Sequence, residues 1–502
     1  MTLRRNMIAG LANSIWSALI GLAVVPFYLQ YLGVEAYGLI GFFVTTQALF
    51  QLLDMGMAPT INREVARCSA AGELKEAGNL LHTLEVFYWG IAASIAVLIL
   101  ALAPLIAEYW LQSKQFSPET ISHAIMLMGL VVACRWPIGL YQGALIGAQR
   151  LTISSAINSA MVTIGSVGAV AVLASISPTI EAFFIWQACV GLFHANGMRT
   201  AAWKVIGRTE QNRFSPGQLK SLWRFTAGMG GIGLTSLVFT QLDKVMLSKI
   251  LGLKEFGNYM LATVVVSGLS MLISPLFNVI YPRFTVLVAM RKTEKLVELY
   301  RLGTRILATL LFPIAMMLAF FAEDLVRVWT GDSEIATTVA PMIAFLAIGS
   351  ALNGVMYFPY ALQLAYGMAW IPLTINIMLM CFLIPTIAYL AQEYGALGGA
   401  MAWMIAEVVY VLLGPWLTHR YILKGLAPKW FLQDVCPPLT WTLLIGVAGH
   451  RAILACDFSH YERVMWAGGL AIFTATLILL MSGQLRNLVW SCARVKRFST
   501  RM

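Results

Sequence analysis

Long apolar stretches alternate with short polar segments along the whole chain. A membrane-spanning helix needs about 20 mostly apolar residues to cross a hydrocarbon core of about 30 Å. About fourteen stretches meet this requirement, and they cover residues 7–29, 37–58, 82–105, 121–141, 153–175, 181–203, 224–247, 257–281, 302–322, 337–358, 368–390, 395–416, 434–452 and 463–482. The pattern predicts an all-α polytopic membrane protein with about 14 transmembrane helices.

Two short sequences recur at a nearly fixed distance. LGVEAYG at Leu32–Gly38 aligns with LGLKEFG at Leu251–Gly257, an offset of 219 residues, and Asn158 aligns with Asn376 at an offset of 218. Polar residues within two similar halves are a common architecture of carriers that work by alternating access. The repeat therefore indicates transport.

The repeat also predicts how the chain is divided. We expect an N-terminal six-helix bundle in 1–212, a C-terminal six-helix bundle in 213–430, and two additional helices with a basic tail in 431–502. The basic segment at about 204–223 then links the two bundles.

Charged residues make up only 11% of the chain, against about 25% in soluble domains, while 59% of the residues are hydrophobic. If the N-terminus is cytoplasmic, the inside segments contain 26 Lys and Arg residues and the outside segments contain 6. By the positive-inside rule this bias predicts that both termini are cytoplasmic. The net charge of +11 thus reflects membrane topology and contact with anionic lipids, and no nucleic-acid partner is expected.

Sequence signals for an enzyme, a metal site or a cofactor are missing. The seven cysteines form no CxxC pair, the six histidines are dispersed, and no GxxxxGK[ST] motif occurs. The GxGxxG match at Gly228–Gly233 follows no predicted strand, so we interpret it as a close-packing helix face. We therefore predict a protein without catalytic residues, metal or cofactor.

Polar and charged residues inside the predicted spans require an explanation, because a charge at the centre of a membrane helix costs about 2.5–3.5 kcal/mol. Gln47, Gln51 and Asp54 recur at positions i, i+4 and i+7 and are expected on one helical face. Arg135 repeats with Gln142 and Gln149 every seven residues. The candidate binding residues are Arg135, Lys244, Arg63, Asp54, Asp243, Glu407, Gln47, Gln51 and Asn278.

Two interpretations of these residues stay open. Ser and Thr stripes, such as the one from Thr263 to Asn278, also serve helix packing, and Asp243 and Lys244 could neutralise each other. The functional interpretation is a hydrated central cavity between the two halves. Its basic groups would hold an anionic substrate, since Arg suits phosphate oxygens, and its acidic groups would bind a coupling cation.

Several motifs resemble a known family when they are taken in order. They are Gly33–Gly38, Leu53–Pro59 followed by Arg63–Arg67, Tyr141–Arg150, Leu242–Leu247, Phe256–Tyr259, Tyr281–Phe284 and Tyr394–Ala400 followed by Glu407. Together they resemble the polysaccharide transporter branch of the MOP superfamily, the Wzx-type flippases of O-antigen and exopolysaccharide units. The resemblance covers roughly residues 1–425.

This resemblance implies a V-shaped pair of six-helix bundles in the inner membrane. It also implies a flippase that turns an undecaprenyl-diphosphate-linked oligosaccharide from the cytoplasmic to the periplasmic leaflet, coupled to Na⁺ or H⁺. A polysaccharide polymerase and a chain-length regulator are the expected protein partners. Wzx-type members often have 12 spans, and the count of about 14 is similar instead to the lipid II flippase branch, where two extra helices line a groove for the lipid tail.

The function implied by this resemblance makes three basic residues the candidates for contact with the diphosphate: Arg135, Lys244 and Arg63. Asp54, Asp243 and Glu407 are the candidates for sugar contact, gating pairs or cation coupling. Three rivals are a cation-coupled multidrug exporter of the same superfamily, a membrane-bound glycan polymerase or ligase, and a non-transporting scaffold for glycan assembly. The intramembrane Arg135 and Lys244 disfavour the drug exporter, and the short outward loops disfavour the polymerase.

Overall fold

The computed structural model describes residues 2–54, 57–207, 235–483 and 486. Several sequence predictions lie wholly or partly outside these residues. They are most of the basic linker at 204–223, the boundary at 212/213, the glycine run Gly228–Gly233, the start of the predicted span 224–247 and most of the basic tail after 482.

The described residues are almost entirely helical, as the apolar pattern predicts. The α-helices are α1 (Thr2–Phe50), α2 (Met57–Ala71), α3 (Leu74–Tyr109), α4 (Pro118–Arg135), α5 (Ile138–Gly147), α6 (Leu151–Ser175), α7 (Ile180–Ile206), α8 (described over 235–250), α9 (Leu253–Ser267), α10 (Ser270–Ala289), α11 (Thr293–Phe320), α12 (Ala322–Thr330), α13 (Ser333–Val355), α14 (Tyr357–Ala365), α15 (Trp370–Tyr421), α16 (Ala427–Trp430), α17 (Cys436–Ala455) and α18 (His460–Met481). A 3₁₀ turn covers Gln51–Asp54 and a π-helical turn covers Phe431–Val435.

Two of these helices are each interrupted by a glycine. Gly33 in α1 has φ 80° and ψ 171°, and Gly395 in α15 has φ 60° and ψ −137°. Residues with a Cβ rarely adopt such angles. The interruptions divide α1 and α15 into two segments each, which agree with the predicted span pairs 7–29 and 37–58, and 368–390 and 395–416.

Ten helices within the described residues are long and apolar enough to cross a membrane. The chain is therefore a multi-pass α-helical membrane protein. The count of 14 spans and the cytoplasmic placement of both termini stay predictions.

Several predicted spans are not single regular α-helices. The span at 37–58 changes from α-helix to a 3₁₀ turn after Phe50. Because side chains at i and i+3 eclipse in a 3₁₀ helix, Gln51 and Asp54 remain on one face, and the face they would share with Gln47 stays a prediction. Pro137 separates α4 from α5, so the spacing of seven residues from Arg135 does not continue along one helix. Residues 268 and 269 separate α9 from α10 and divide the Ser/Thr stripe that ends at Asn278.

The chain forms two compact units, Met1–Gly257 and Asn258–Met502. The predicted division at 212/213 and 430/431 stays a prediction. A continuous apolar core in the first unit joins α2, α3, α5 and α7 around fully buried side chains such as Ile61, Leu81, Tyr141 and Met198. In the second unit α17 packs against α11, because a Cβ at Gly446 would lie 2.0 Å from Met316 Sδ.

The two copies of the repeated motif touch each other inside the first unit. A Cβ at Gly38 would lie 2.3 Å from the carbonyl oxygen of Leu253, and a Cβ at Gly257 would lie 2.3 Å from that of Val34. Both glycines therefore permit a backbone approach that any side chain would block. The contact explains why both copies of the motif end in glycine.

Candidate functional site

Arg135 ends α4 and reaches two glutamines on neighbouring helices. Its Nη2 donates to Oε1 of Gln187 on α7 at 2.6 Å, and its Nη1 donates to Oε1 of Gln47 on α1 at 3.4 Å. The guanidinium also lies 5.7 Å from the centre of the Phe43 ring. Within the described part of the chain no carboxylate lies within 4.0 Å of Arg135. Its positive charge is thus held in place by neutral oxygens.

Asp54 lies at the 3₁₀ turn that follows the Gln47 segment. One carboxylate oxygen accepts a hydrogen bond from Ala58 N at 3.2 Å, which caps the start of α2, and the other accepts one from the Tyr88 hydroxyl. The Tyr88 ring lies 6.2 Å from that of Trp136, the residue that follows Arg135. This chain of contacts connects Asp54 to the Arg135 region.

Asp243 and Lys244 form an ion pair on α8. Lys244 Nζ lies 3.1 Å from Asp243 Oδ1 and also donates to the carbonyl oxygen of Thr240 at 3.0 Å. Both side chains are largely buried, at 3% exposure for Asp243 and 14% for Lys244. The structure therefore contains the mutual neutralisation that the sequence left open.

Three further candidates lie on the surface of their units. The Arg63 side chain is 60% exposed on α2, where its Nε lies 3.6 Å from Glu64 Oε1. Gln51 is exposed in the 3₁₀ turn, and Asn278 is exposed on α10 beside Phe277. The Phe277 ring stacks with Tyr281 at 5.4 Å and with Tyr360 at 6.1 Å between ring centres.

Glu407 is completely buried in the second unit. Asn353 Nδ2 on α13 donates to both of its carboxylate oxygens at 3.0 Å. Burying a carboxylate in apolar surroundings is costly unless it is paired or neutralised. Glu407 is thus a separate site, formed by α13 and the second segment of α15.

A cluster with metal-ligand chemistry occurs on the surface of the first unit. Cys68, Glu73 and Glu76 offer ligand atoms within 4.8 Å of one another. Arg67 already pairs with Glu73 at 3.4 Å and with Glu76 at 2.9 Å, and hydrogen bonds to Glu64 and Glu76 raise the pKa of its guanidinium. The carboxylates therefore serve an exposed ion-pair network.

Sequence reasoning missed the partners that fix the buried charges. Gln187 and Asn353 were not predicted, and neither was the role of Glu85, which binds Arg199 and accepts from Tyr141 at 2.7 Å and Trp203 at 3.3 Å. Amide side chains inside apolar spans are the signal that could have found Gln187 and Asn353. Nothing in the spacing of either residue indicates its partner.

Comparisons with known sequences place these features in a family. The family of polysaccharide biosynthesis proteins matches residues 3–288. A Shigella flexneri protein described as an O-antigen transporter is 20% identical over 422 residues, which cover 81% of this chain and 97% of that protein. The lipopolysaccharide biosynthesis protein WzxC of Escherichia coli K12 is 24% identical over 455 residues, or 86% of this chain and 85% of that protein.

Solved structures share the fold at low sequence identity. The lipid II flippase MurJ in an inward closed conformation has a TM-score of 0.69 at 13% identity, covering 96% of this chain and 100% of MurJ. An inward-facing multidrug transporter of the MOP superfamily has a TM-score of 0.65 at 14% identity, covering 82% and 96%. Since its family model matches more than half of the sequence, the chain belongs to the polysaccharide biosynthesis protein family, and its fold is that of the MOP transporters.

Proposed function

We propose that this chain is a flippase in the inner membrane for an undecaprenyl-diphosphate-linked oligosaccharide. It moves an O-antigen, exopolysaccharide or capsule repeat unit from the cytoplasmic to the periplasmic leaflet by alternating access. Family membership, a relative described as an O-antigen transporter and the fold of a lipid II flippase support this proposal. The expected polymerase and chain-length regulator belong to the same proposal as protein partners.

The observation that carries the proposal is the environment of Arg135. Two other partly buried guanidiniums meet a carboxylate, Arg199 at Glu85 and Arg301 at Asp434. Arg135 is held instead by the oxygens of Gln47 and Gln187, so its charge is oriented without being neutralised. A diphosphate is the group on the proposed substrate that such a guanidinium would bind.

The remaining candidates have secondary roles in this proposal. Arg63 and Lys244 assist at the diphosphate. Asp54 and Asp243 contact the sugar or form gating pairs, and Gln47, Gln51 and Asn278 contribute neutral hydrogen bonds. Glu407 binds the coupling cation, a Na⁺ ion or a proton.

The test of the substrate site is Arg135→Gln in proteoliposomes that contain a fluorescent undecaprenyl-diphosphate oligosaccharide in both leaflets. A hydrogen bond to a charged group contributes about 1.5–3 kcal/mol, so flipping should slow by about ten- to hundredfold. The measurement is the rate at which the label becomes accessible to a membrane-impermeant reagent.

Lys75→Gln is the matched control, since it removes an exposed positive charge outside the Arg135 cluster. It should flip like the wild type. Equal rates for the folded Arg135→Gln protein and the wild type would remove Arg135 from the substrate path. If only half of the label ever became accessible with wild-type protein, the flippase proposal itself would fail.

A second test addresses cation coupling. Glu407→Gln keeps the Asn353 contact possible but removes the ionisable group. We expect an imposed Na⁺ or proton gradient to leave the flipping rate of this variant unchanged. One of the two gradients should accelerate flipping by the wild type. The control Glu323→Gln, which alters a 51% exposed carboxylate, should respond like the wild type. A gradient response that survives in Glu407→Gln would place the coupling group elsewhere.

A further inference from the structure

A cavity of about 330 Å³ lies in the second unit where α11, α17 and α18 meet. The polar part of its wall comes from α11, from the turn before α17 and from Ser482, which follows α18. The residues that matter here are Arg305, Thr309, Gln433, Trp441, Ile478 and Ser482. None of them belongs to the substrate sites proposed above.

Two hydroxyl groups in this wall lack hydrogen-bond partners within the part of the chain that the structure describes. Thr309 is only 4% exposed, and its Oγ1 is buried without a partner. The same holds for Oγ of Ser482 at the end of α18. Buried polar groups are almost always paired, so this wall suits a ligand that supplies acceptor oxygens.

The cavity also has a positive electrostatic character. The completely buried Asp434 binds both Arg301, at 2.7 Å, and Arg305, at 2.5 Å. One carboxylate thus faces two guanidiniums, and the cluster keeps a net positive charge. The exposed Arg486 lies one turn beyond Ser482, to whose carbonyl oxygen its backbone N–H donates at 2.9 Å. The ligand is therefore expected to be an anion.

The rest of the wall is apolar and aromatic. Trp441 is 37% exposed, and Ile478, Met481, Gly483 and two prolines also line the cavity. Arg301, Arg305 and Arg486 are among the basic residues that the topology prediction assigns to the cytoplasmic side. Basic pockets between membrane helices on that side bind phosphate-bearing lipid headgroups, and tryptophans concentrate at the same depth.

We propose that this cavity binds the headgroup phosphate of an anionic phospholipid of the surrounding bilayer. The hydroxyls of Thr309 and Ser482 donate to the phosphate oxygens, and Arg305 supplies the charge. The glycerol backbone lies against Trp441 and Ile478. This inference does not rest on the proposed transport activity, because binding is measured without a glycan substrate.

The test is native mass spectrometry of the full chain in detergent, titrated with phosphatidylglycerol and separately with phosphatidylcholine. We expect phosphatidylglycerol to bind about tenfold more tightly. The Thr309→Val/Ser482→Ala double variant should lose about a hundredfold or more in phosphatidylglycerol affinity, because it removes two hydrogen bonds to a charged group. The control Thr474→Val removes a hydroxyl that donates to Leu470 O at 2.7 Å within α18, and it should bind like the wild type.

Competition identifies the source of the phosphate. Neither excess inorganic phosphate nor equimolar undecaprenyl phosphate should displace phosphatidylglycerol. Displacement by inorganic phosphate would make the cavity a free-anion site, and displacement by undecaprenyl phosphate would make it a site for the substrate lipid; either result overturns the proposal. Wild-type affinity in the double variant would overturn it as well. Ser482→Ala alone, at a helix end, carries the test if Thr309→Val does not fold.

Discussion

At the scale of single residues, the buried and half-buried charges in the described part of this protein differ in whether they meet an opposite charge. Glu85, Asp243 and Asp434 each meet an opposite charge within ion-pair distance. Arg135 and Glu407 meet amides instead. A closed ion pair has little charge left for a ligand, so Arg135 and Glu407 are the first groups to test for binding, whereas Lys244 would have to leave Asp243 before it could assist at the diphosphate.

The glycines at the contact between the two repeated motifs should be required for the full stability of the protein. Gly38→Ala or Gly257→Ala places a methyl group against a backbone carbonyl that cannot rotate away. Overpacking of this kind typically costs about 1–3 kcal/mol. We expect a lower melting temperature for both variants in detergent.

Gly90→Ala provides the matched control for this prediction. Gly90 lies inside α3, and a Cβ there would meet nothing within 4 Å. Alanine is the better helix former, so its melting temperature should stay unchanged or rise. Equal melting temperatures for Gly38→Ala and the wild type would show that the two motifs can move apart to accept a methyl group without loss of stability.

The sequence predicted individual polar residues better than it predicted their contacts. Arg135 and Gln47 were both candidates and do touch, but Gln187 forms the shorter bond and was missed. Asp54 was selected for its position on a helical face, and the structure shows it as a helix cap. Partners contributed by distant helices depend on tertiary packing, which periodicity within one segment does not report.

At the scale of elements, one carboxylate joins the π-helical turn before α17 to two arginines of α11. Asp434→Ala would leave Arg301 and Arg305 without their shared partner. Removing one member of a buried ion pair costs about 3–5 kcal/mol. We expect a large fall in the melting temperature and faster proteolysis in the segment between α15 and α17.

Glu323→Gln tests whether this effect is specific to burial. Glu323 is 51% exposed and pairs with Arg327 at 3.2 Å. Exposed ion pairs contribute about 0–1 kcal/mol, so the variant should melt close to the wild type. A similar small change for Asp434→Ala would mean that α17 is held by apolar packing alone.

Changes of helix type and breaks within an apolar segment were what the sequence failed to predict at this scale. The segment 37–58 stays apolar through the change from α-helix to 3₁₀ turn, and 257–281 stays apolar across the break after Ser267. Hydropathy detects that a segment is buried in lipid or protein, whatever its helix type. The breaks in α1 and α15, in contrast, lie at glycines that the sequence shows: Gly33 belongs to the repeated motif, and Gly395 follows Tyr394.

At the scale of the whole molecule, composition and hydropathy were sufficient for the class of protein. The all-helical membrane fold and the family membership are confirmed. The number of spans and the orientation of the chain stay predictions. The charge bias therefore remains the basis for orientation.

The topology prediction can be measured with fusions. A green fluorescent protein fused after residue 502 should fluoresce, because it folds only in the cytoplasm. Alkaline phosphatase inserted at Gly331, in the predicted outside loop that follows α12, should be active because it requires the periplasm. Reversed activities would place the C-terminus outside. A dark green fluorescent protein together with an active phosphatase would put both fusion sites outside and would require an even number of spans between them, against the five predicted.

The ion pair on α8 has a consequence for biogenesis. Asp243 and Lys244 are neighbours in the sequence, so their charges can neutralise each other as soon as the helix forms beside the translocon. Arg301 and Asp434 are 133 residues apart, and Arg301 enters the bilayer region long before its partner is synthesised. We therefore expect α8 to insert into the membrane early and without a partner helix. The basic end of α11 should stay near the membrane–water interface until α17 emerges from the ribosome.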